Sequence, residues 1–285
     1  MSSTSSASLD ERVGRAIYTA RTTSAALKLV TTIFSFSGDE IVWFLPTGLY
    51  ISTAFSLSAL MGVQGGVAPV APNCMEQCLC DAFGTASIAA ALESALKLCF
   101  RRPRPPYAAQ SKGKHIHSVP GEIFSLPSGH SMRSALMAVW LRHNSHARIL
   151  LSSIGVGQPS FAALLVWACC VAFSRVAAGR HYPLDCALGL LLGAVVGVCT
   201  EVPTDAGTAV LSGWLKTAGG IYVTSTWGWF LAVPKLLPLV RRVIPWVEPI
   251  HLGAPYLAFY ACFLAARVPT STEGWLHGSC GAGSL

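Results

Sequence analysis

The stretch "SRVAAGRHYPLD", residues 174–185, runs directly into "CALGLLLGAVVGVC", residues 186–199. The second half holds no charge and is nearly long enough to cross a bilayer core, which takes about 20 residues as a helix. Its glycines, at 189, 193 and 197, recur every fourth residue and so share one helix face, where they admit a second helix at close range. The first half is a polar island that carries Arg175, Arg180, His181 and Asp185 between two apolar segments. Gly179 breaks the preceding helix, and Pro183 falls in the first turn of the next. The chain therefore reaches one side of an apolar layer, turns through a charged loop and returns. A capping loop between buried helices explains some of those four ionisable groups, but not all of them.

Composition extends that reading to the whole chain. Of 285 residues, 52% are hydrophobic and 12% charged, against about 25% charged in an ordinary soluble domain. The expected fold is all-α, a polytopic membrane helical bundle of about five to six transmembrane helices. The net charge of +7 comes from basic residues gathered in the 101–114 loop and beside apolar segments. That placement suits anionic lipid or phosphate and excludes a nucleic-acid partner. Most of the ten cysteines lie in apolar segments and act there as small hydrophobes. Cys74, Cys78 and Cys80 cluster near a predicted interface, where packing is favoured over a disulfide or palmitoylation.

Read along the chain, residues 1–40 form a polar tail and a basic interfacial helix over 10–37, with 24–37 as a short extra span in the alternative. Residues 41–205 form the transmembrane core. Its spans fall at 41–63, 78–100, 128–141 and 161–178, and then on the apolar half of the opening stretch. Asp81, Glu93 and Lys97 interrupt the second span and are functional candidates because ionisable groups there are costly. Residues 206–285 form an apolar extension with two Trp-rich stretches, 220–246 and 254–267, that read as further spans or interfacial hairpins. Trp227, Trp229 and Trp246 belong to an interfacial aromatic belt.

Counting the crossings brings three polar clusters to one side of the membrane. In "KLCFRRPRP", residues 97–105, Lys97 supplies a point charge and Arg104, beside two prolines, a planar fork; a plain membrane flank has the same composition. In "LPSGHS", residues 126–131, Ser128 can cap a new helix, Gly129 lets its backbone approach a ligand, and His130 stands in the first turn, placed to donate a proton. In the opening stretch, a carboxylate at Asp185 that holds one ring nitrogen of His181 leaves the other free as a nucleophile.

Lys97 with six residues before Arg104-Pro105, Pro127-Ser128-Gly129-His130, and Arg175 with five residues before His181 and three more before Asp185 together resemble the three-part signature of the type 2 phosphatidic acid phosphatase superfamily. Within it, "FSLPSGHSMRSALM", with Arg133 one turn after His130, and "FSRVAAGRHYPLDCALGLLLG" resemble the polyisoprenoid diphosphate phosphatases that act on presqualene and farnesyl diphosphates. The resemblance implies an integral-membrane lipid phosphatase of the endoplasmic reticulum or nuclear envelope. His181 would attack phosphorus, Asp185 would orient it, and His130 would be the general acid and base. Lys97, Arg104, Ser128, Gly129 and Arg175 would hold the phosphoryl oxygens.

No cofactor is expected, and no metal site, because cations take the place of magnesium and no carboxylate cluster is present. His115 and His117 lack further ligands and read as a solvated loop. Arg180 and Arg102 lie outside the signature and are candidates for a second phosphate. The alternative substrates are phosphatidate and sphingoid phosphates. A lipid phosphoryl or headgroup transferase uses the same intermediate, and a non-catalytic scaffold is disfavoured by the intact signature. Positive-inside counting puts the clusters on the cytosolic side if 24–37 does not cross, and one more crossing inverts this.

Overall fold

The computed structural model describes residues 8–40, 42–44, 74–108, 124–153, 155–202, 210–216, 218–220 and 223. Among them the chain is helical, with no strand. Its helices are α1 (Leu9–Thr23), α2 (Ala25–Ser37), α3 (Cys74–Phe100), α4 (Gly129–His143), α5 (Ser145–Ser153), α6 (Phe161–Ala177) and α7 (Pro183–Glu201). Most of the expected span at 41–63, both carboxy-terminal stretches, the belt tryptophans and the His115/His117 pair lie outside the described residues.

The basic amino-terminal segment is two helices rather than one. Ser24 adopts an extended backbone, and its hydroxyl accepts from the Leu27 amide at 3.2 Å, which ends α1 and starts α2. Ser8 caps α1 in the same way, with Asp10 and Glu11 in the first turn. Arg21 reaches back from α1 to the Thr31 hydroxyl at 2.9 Å, so the two helices fold on each other. α2 and α1 then pack on α6, and α1 also on the start of α7.

Among the described residues, two helices are long and apolar enough to cross a membrane, Cys78–Phe100 and Pro183–Glu201, and Phe161–Ala177 is a shorter apolar helix. α4, which corresponds to the expected span at 128–141, is the central post of the bundle. Ser131 through Met137 and Trp140 are all buried in it, polar members included. Its Met132, Leu136, Met137 and Trp140 form one core with Cys78, Phe83, Ala86 and Ala89 of α3. The glycine stripe of α7 faces α4. A Cβ on Gly189 would come within 2.6 Å of the Ser128 carbonyl oxygen, and one on Gly193 would overlap the Met132 carbonyl.

The three charges expected inside the second span separate. Asp81 belongs to a buried network with Lys216 (2.7 Å), Trp140 Nε1 (2.9 Å) and the Asn144 amide. Glu201 closes it through Lys216 (3.0 Å) and Thr85 (2.9 Å). Glu93 and Lys97 lie toward the other end of α3, about 18 and 24 Å along the helix from Asp81 at 1.5 Å per residue.

Candidate active site

The end of α3, the start of α4 and the α6–α7 turn meet at one end of the bundle, as the crossing count requires. His181 is 2% exposed. Its Nδ1 lies 2.7 Å from the Ser125 carbonyl oxygen, and because a carbonyl only accepts, Nδ1 carries the proton. The other ring nitrogen, Nε2, is then an unprotonated lone pair. Burial, followed by the charges of Lys97, Arg175 and Arg104, holds this imidazole well below the ordinary value of 6.5. Ser125 is itself fixed, its amide and hydroxyl donating to the Arg102 carbonyl at 2.9 and 3.2 Å beside the Pro103–Phe124 bridge.

This corrects the role expected of Asp185. Its nearest oxygen is 3.9 Å from His181 Nδ1, beyond hydrogen-bond reach. The carboxylate instead accepts from the Tyr182 amide at 2.9 Å and from Arg102 Nη1 at 2.6 Å. The reason is local: the first turn of α7 leaves amides to be capped, and Asp185 caps one of them, completing a capping box. Its field still falls on His181, but the Ser125 carbonyl sets the tautomer.

Arg102 is corrected too. One nitrogen serves Asp185 and the other donates to Asp10 at 2.6 Å, while the guanidinium lies 4.1 Å from the Tyr182 ring centroid. Burial opposes its charge, and the hydrogen bonds and charges of Asp10 and Asp185 outweigh that and raise its pKa. A cation held between two carboxylates is no second-phosphate ligand. Arg180, by contrast, is half-buried and has no carboxylate in salt-bridge contact among the described residues, and its charge acts on Arg175.

The remaining expected residues surround the same space. Lys97 is 1% exposed, with Nζ 2.5 Å from Glu93 Oε1. Gly129 presses on that Glu93 carboxylate, which any Cβ would overlap. Ser128 takes the N-cap position of α4, but its hydroxyl makes no capping bond and accepts from Ser131 at 3.0 Å, a departure from the expected cap. Its amide donates to the Asp185 carbonyl at 3.1 Å, which joins the starts of α4 and α7. Arg104 donates to the Arg180 carbonyl at 3.3 Å. Arg175 donates to Ser35 at 2.6 Å and has a buried Nε with no hydrogen-bond partner among the described residues. His130 Nε2 is 3.3 Å from Asp39 Oδ2.

Reading the sequence missed Asp10, Ser35, Asp39, Glu40 and Ser125. The available signal was the Asp39-Glu40 pair at the mouth of an apolar run, where unpaired acids are costly. Chemically, a neutral buried imidazole ringed by Lys97, Arg104 and Arg175 suits attack on an anionic phosphoryl centre.

Residues 79–205 match the PAP2 superfamily. A curated relative, "Probable lipid phosphate phosphatase beta" of Arabidopsis thaliana, is 32% identical over 120 residues, or 35% of this chain and 53% of the relative. The chain thus spans about half the length of that relative. Among solved structures, the crystal structure of Aquifex aeolicus LpxE aligns at 20% identity with a TM-score of 0.38, over 68% of this chain and 96% of the other. All three signature clusters, from Lys97 to Asp185, fall inside the matched segment. Over residues 79–205, this chain is similar to the PAP2 superfamily.

Proposed function

We propose that the protein is an integral-membrane lipid phosphate phosphohydrolase that works through a phosphohistidine and takes isoprenoid diphosphates, such as presqualene or farnesyl diphosphate, as substrates. One observation carries the reading: the His181 proton is committed to the Ser125 carbonyl, and the ring stays neutral among three cations. In the first step the Nε2 lone pair forms a P–N bond, the bond to the leaving oxygen breaks, and His130 gives that oxygen its proton. In the second, His130 takes a proton from water, the oxygen attacks phosphorus and the P–N bond breaks. Lys97, Arg104, Arg175, Ser128 and the Gly129 amide hold the phosphoryl oxygens. The name of the Arabidopsis relative supports a lipid phosphate as substrate. The diphosphate preference rests on Arg180, a cation beside Arg175 without a carboxylate of its own among the described residues. The site lies in the 41–205 core, and the endoplasmic reticulum or nuclear envelope is the location that an isoprenoid substrate implies.

Purified protein in detergent with EDTA, assayed on isoprenoid diphosphates, phosphatidate and sphingoid phosphates, tests this. The expected result is free inorganic phosphate, released fastest from the diphosphates. His181→Ala is expected to lose at least the roughly 100- to 10,000-fold of a general acid–base group. Preference for phosphatidate would move the substrate assignment, and transfer of phosphate to an acceptor alcohol would make the enzyme a transferase.

A further inference from the structure

Residues 8–40 precede the matched segment at 79–205, yet they touch the site at four points. Asp10 accepts from Arg102 at 2.6 Å and from the Leu184 amide at 2.9 Å. Ser35 accepts from Arg175 at 2.6 Å, Glu40 accepts from Arg133 at 2.8 Å, and Asp39 meets His130 at 3.3 Å. The last two contacts are linked. Arg133 is fully buried one helical turn after His130, and its other terminal nitrogen donates to the Gly38 carbonyl at 3.2 Å. A buried guanidinium demands such partners. By gripping the residues on both sides of Asp39, Arg133 fixes the turn that presents this carboxylate to the His130 ring.

We propose that Asp39 is a positioning residue for His130: its carboxylate accepts the Nε2 proton, fixes the ring and favours the imidazolium form needed to expel the leaving group. Nδ1 then carries the proton given to the leaving oxygen and later taken from water, while Nε2–H stays on Asp39 throughout. This rests on the phosphatase reading. Three other charges bear on the same ring, Arg175 from α6, Arg133 from α4 and Glu93 from α3, so two cations oppose its protonation. Burial is the largest effect and, with these cations, holds the His130 imidazole down at about 4. Asp39 and Glu93 counter only part of this, and of the two Asp39 is the one in contact among the described residues.

The test is the pH dependence of kcat in Asp39→Asn and Asp39→Glu, alongside an NMR titration of the His130 imidazole in detergent. An opposite charge this close moves a pKa by about 1–3 units. In Asp39→Asn the alkaline limb should therefore move to lower pH by about one unit, with about tenfold less rate at a pH on that limb. The His130 midpoint should fall with it, and Asp39→Glu should keep the wild-type limb. A loss equal at every pH, with the limb and the His130 midpoint unmoved, overturns the proposal. Wild-type protein that hydrolyses no lipid phosphate sinks the phosphatase reading instead, and the His130 midpoint still decides whether Asp39 controls the ring.

Discussion

His181 sets the lower pH limit of the proposed chemistry. Because burial and the surrounding cations hold it well below 6.5, it stays a competent nucleophile where a free imidazole is protonated. The acid limb of kcat/KM should accordingly lie below pH 6.5, as a pH–rate profile in detergent will show. Stability has the same sign. The unfolded imidazole takes up a proton near 6.5 that the folded one refuses, so this residue lowers stability as pH falls below that value and has no effect above it. The two arginines outside the signature should separate by substrate. Arg180→Ala should reduce diphosphate turnover by roughly ten- to a hundredfold relative to monophosphate, the equivalent of one charged hydrogen bond of about 1.5–3 kcal/mol. Arg102→Lys should lower both alike, since it acts through Asp185. The signature residues were legible because chemistry fixes their type and spacing. Ser125 was not, because what it supplies is a backbone carbonyl, which any residue carries.

At the level of helices, the start of α4 was placed beside the α6–α7 turn, as the structure has it, and the close packing of α4 on α7 was only half legible. The "CALGLLLGAVVGVC" pattern signals close packing, and α7 does pack its glycines on another helix. Nothing in α4 announces that Ser131 through Met137 are all buried, because Ser131, Arg133 and Ser134 are polar by type and find their partners only in the fold. Gly193→Ala tests the contact. Its Cβ would overlap the Met132 carbonyl, and overpacking of this kind costs about 1–3 kcal/mol. The variant should melt earlier and lose turnover, and Gly155→Ala is no substitute control, since Gly155 has positive φ but open space around it. The break at Ser24 was invisible for a related reason. A serine inside a periodic run reads as an exposed helical position until a cap geometry shows otherwise.

The molecule as a whole has a charged cluster at each end of the α3–α4–α7 core. The one around Asp81, Glu201 and Lys216 has no part in the proposed chemistry and ties residues 210–216 to α3 and α7. Lys216→Met leaves two buried carboxylates without their cation, and breaking such a pair costs about 3–5 kcal/mol. Thermal unfolding in detergent should show this loss, while the pH limbs of whatever activity survives stay in place. The partnership was not legible in the sequence because Asp81 lies more than a hundred residues from Glu201 and Lys216, joined to them only by the fold. The glycine face of α7 has a last consequence. Because backbone meets backbone there, the two histidines are gauged against each other through the Ser128–Asp185 bond and not through any side chain that lipid touches. The outer face of α7, where Leu191, Val195 and Val198 are exposed, takes no part in that junction. Substitution among these apolar side chains should therefore leave the Ser128–Asp185 spacing, and with it the distance between the two histidines, unchanged.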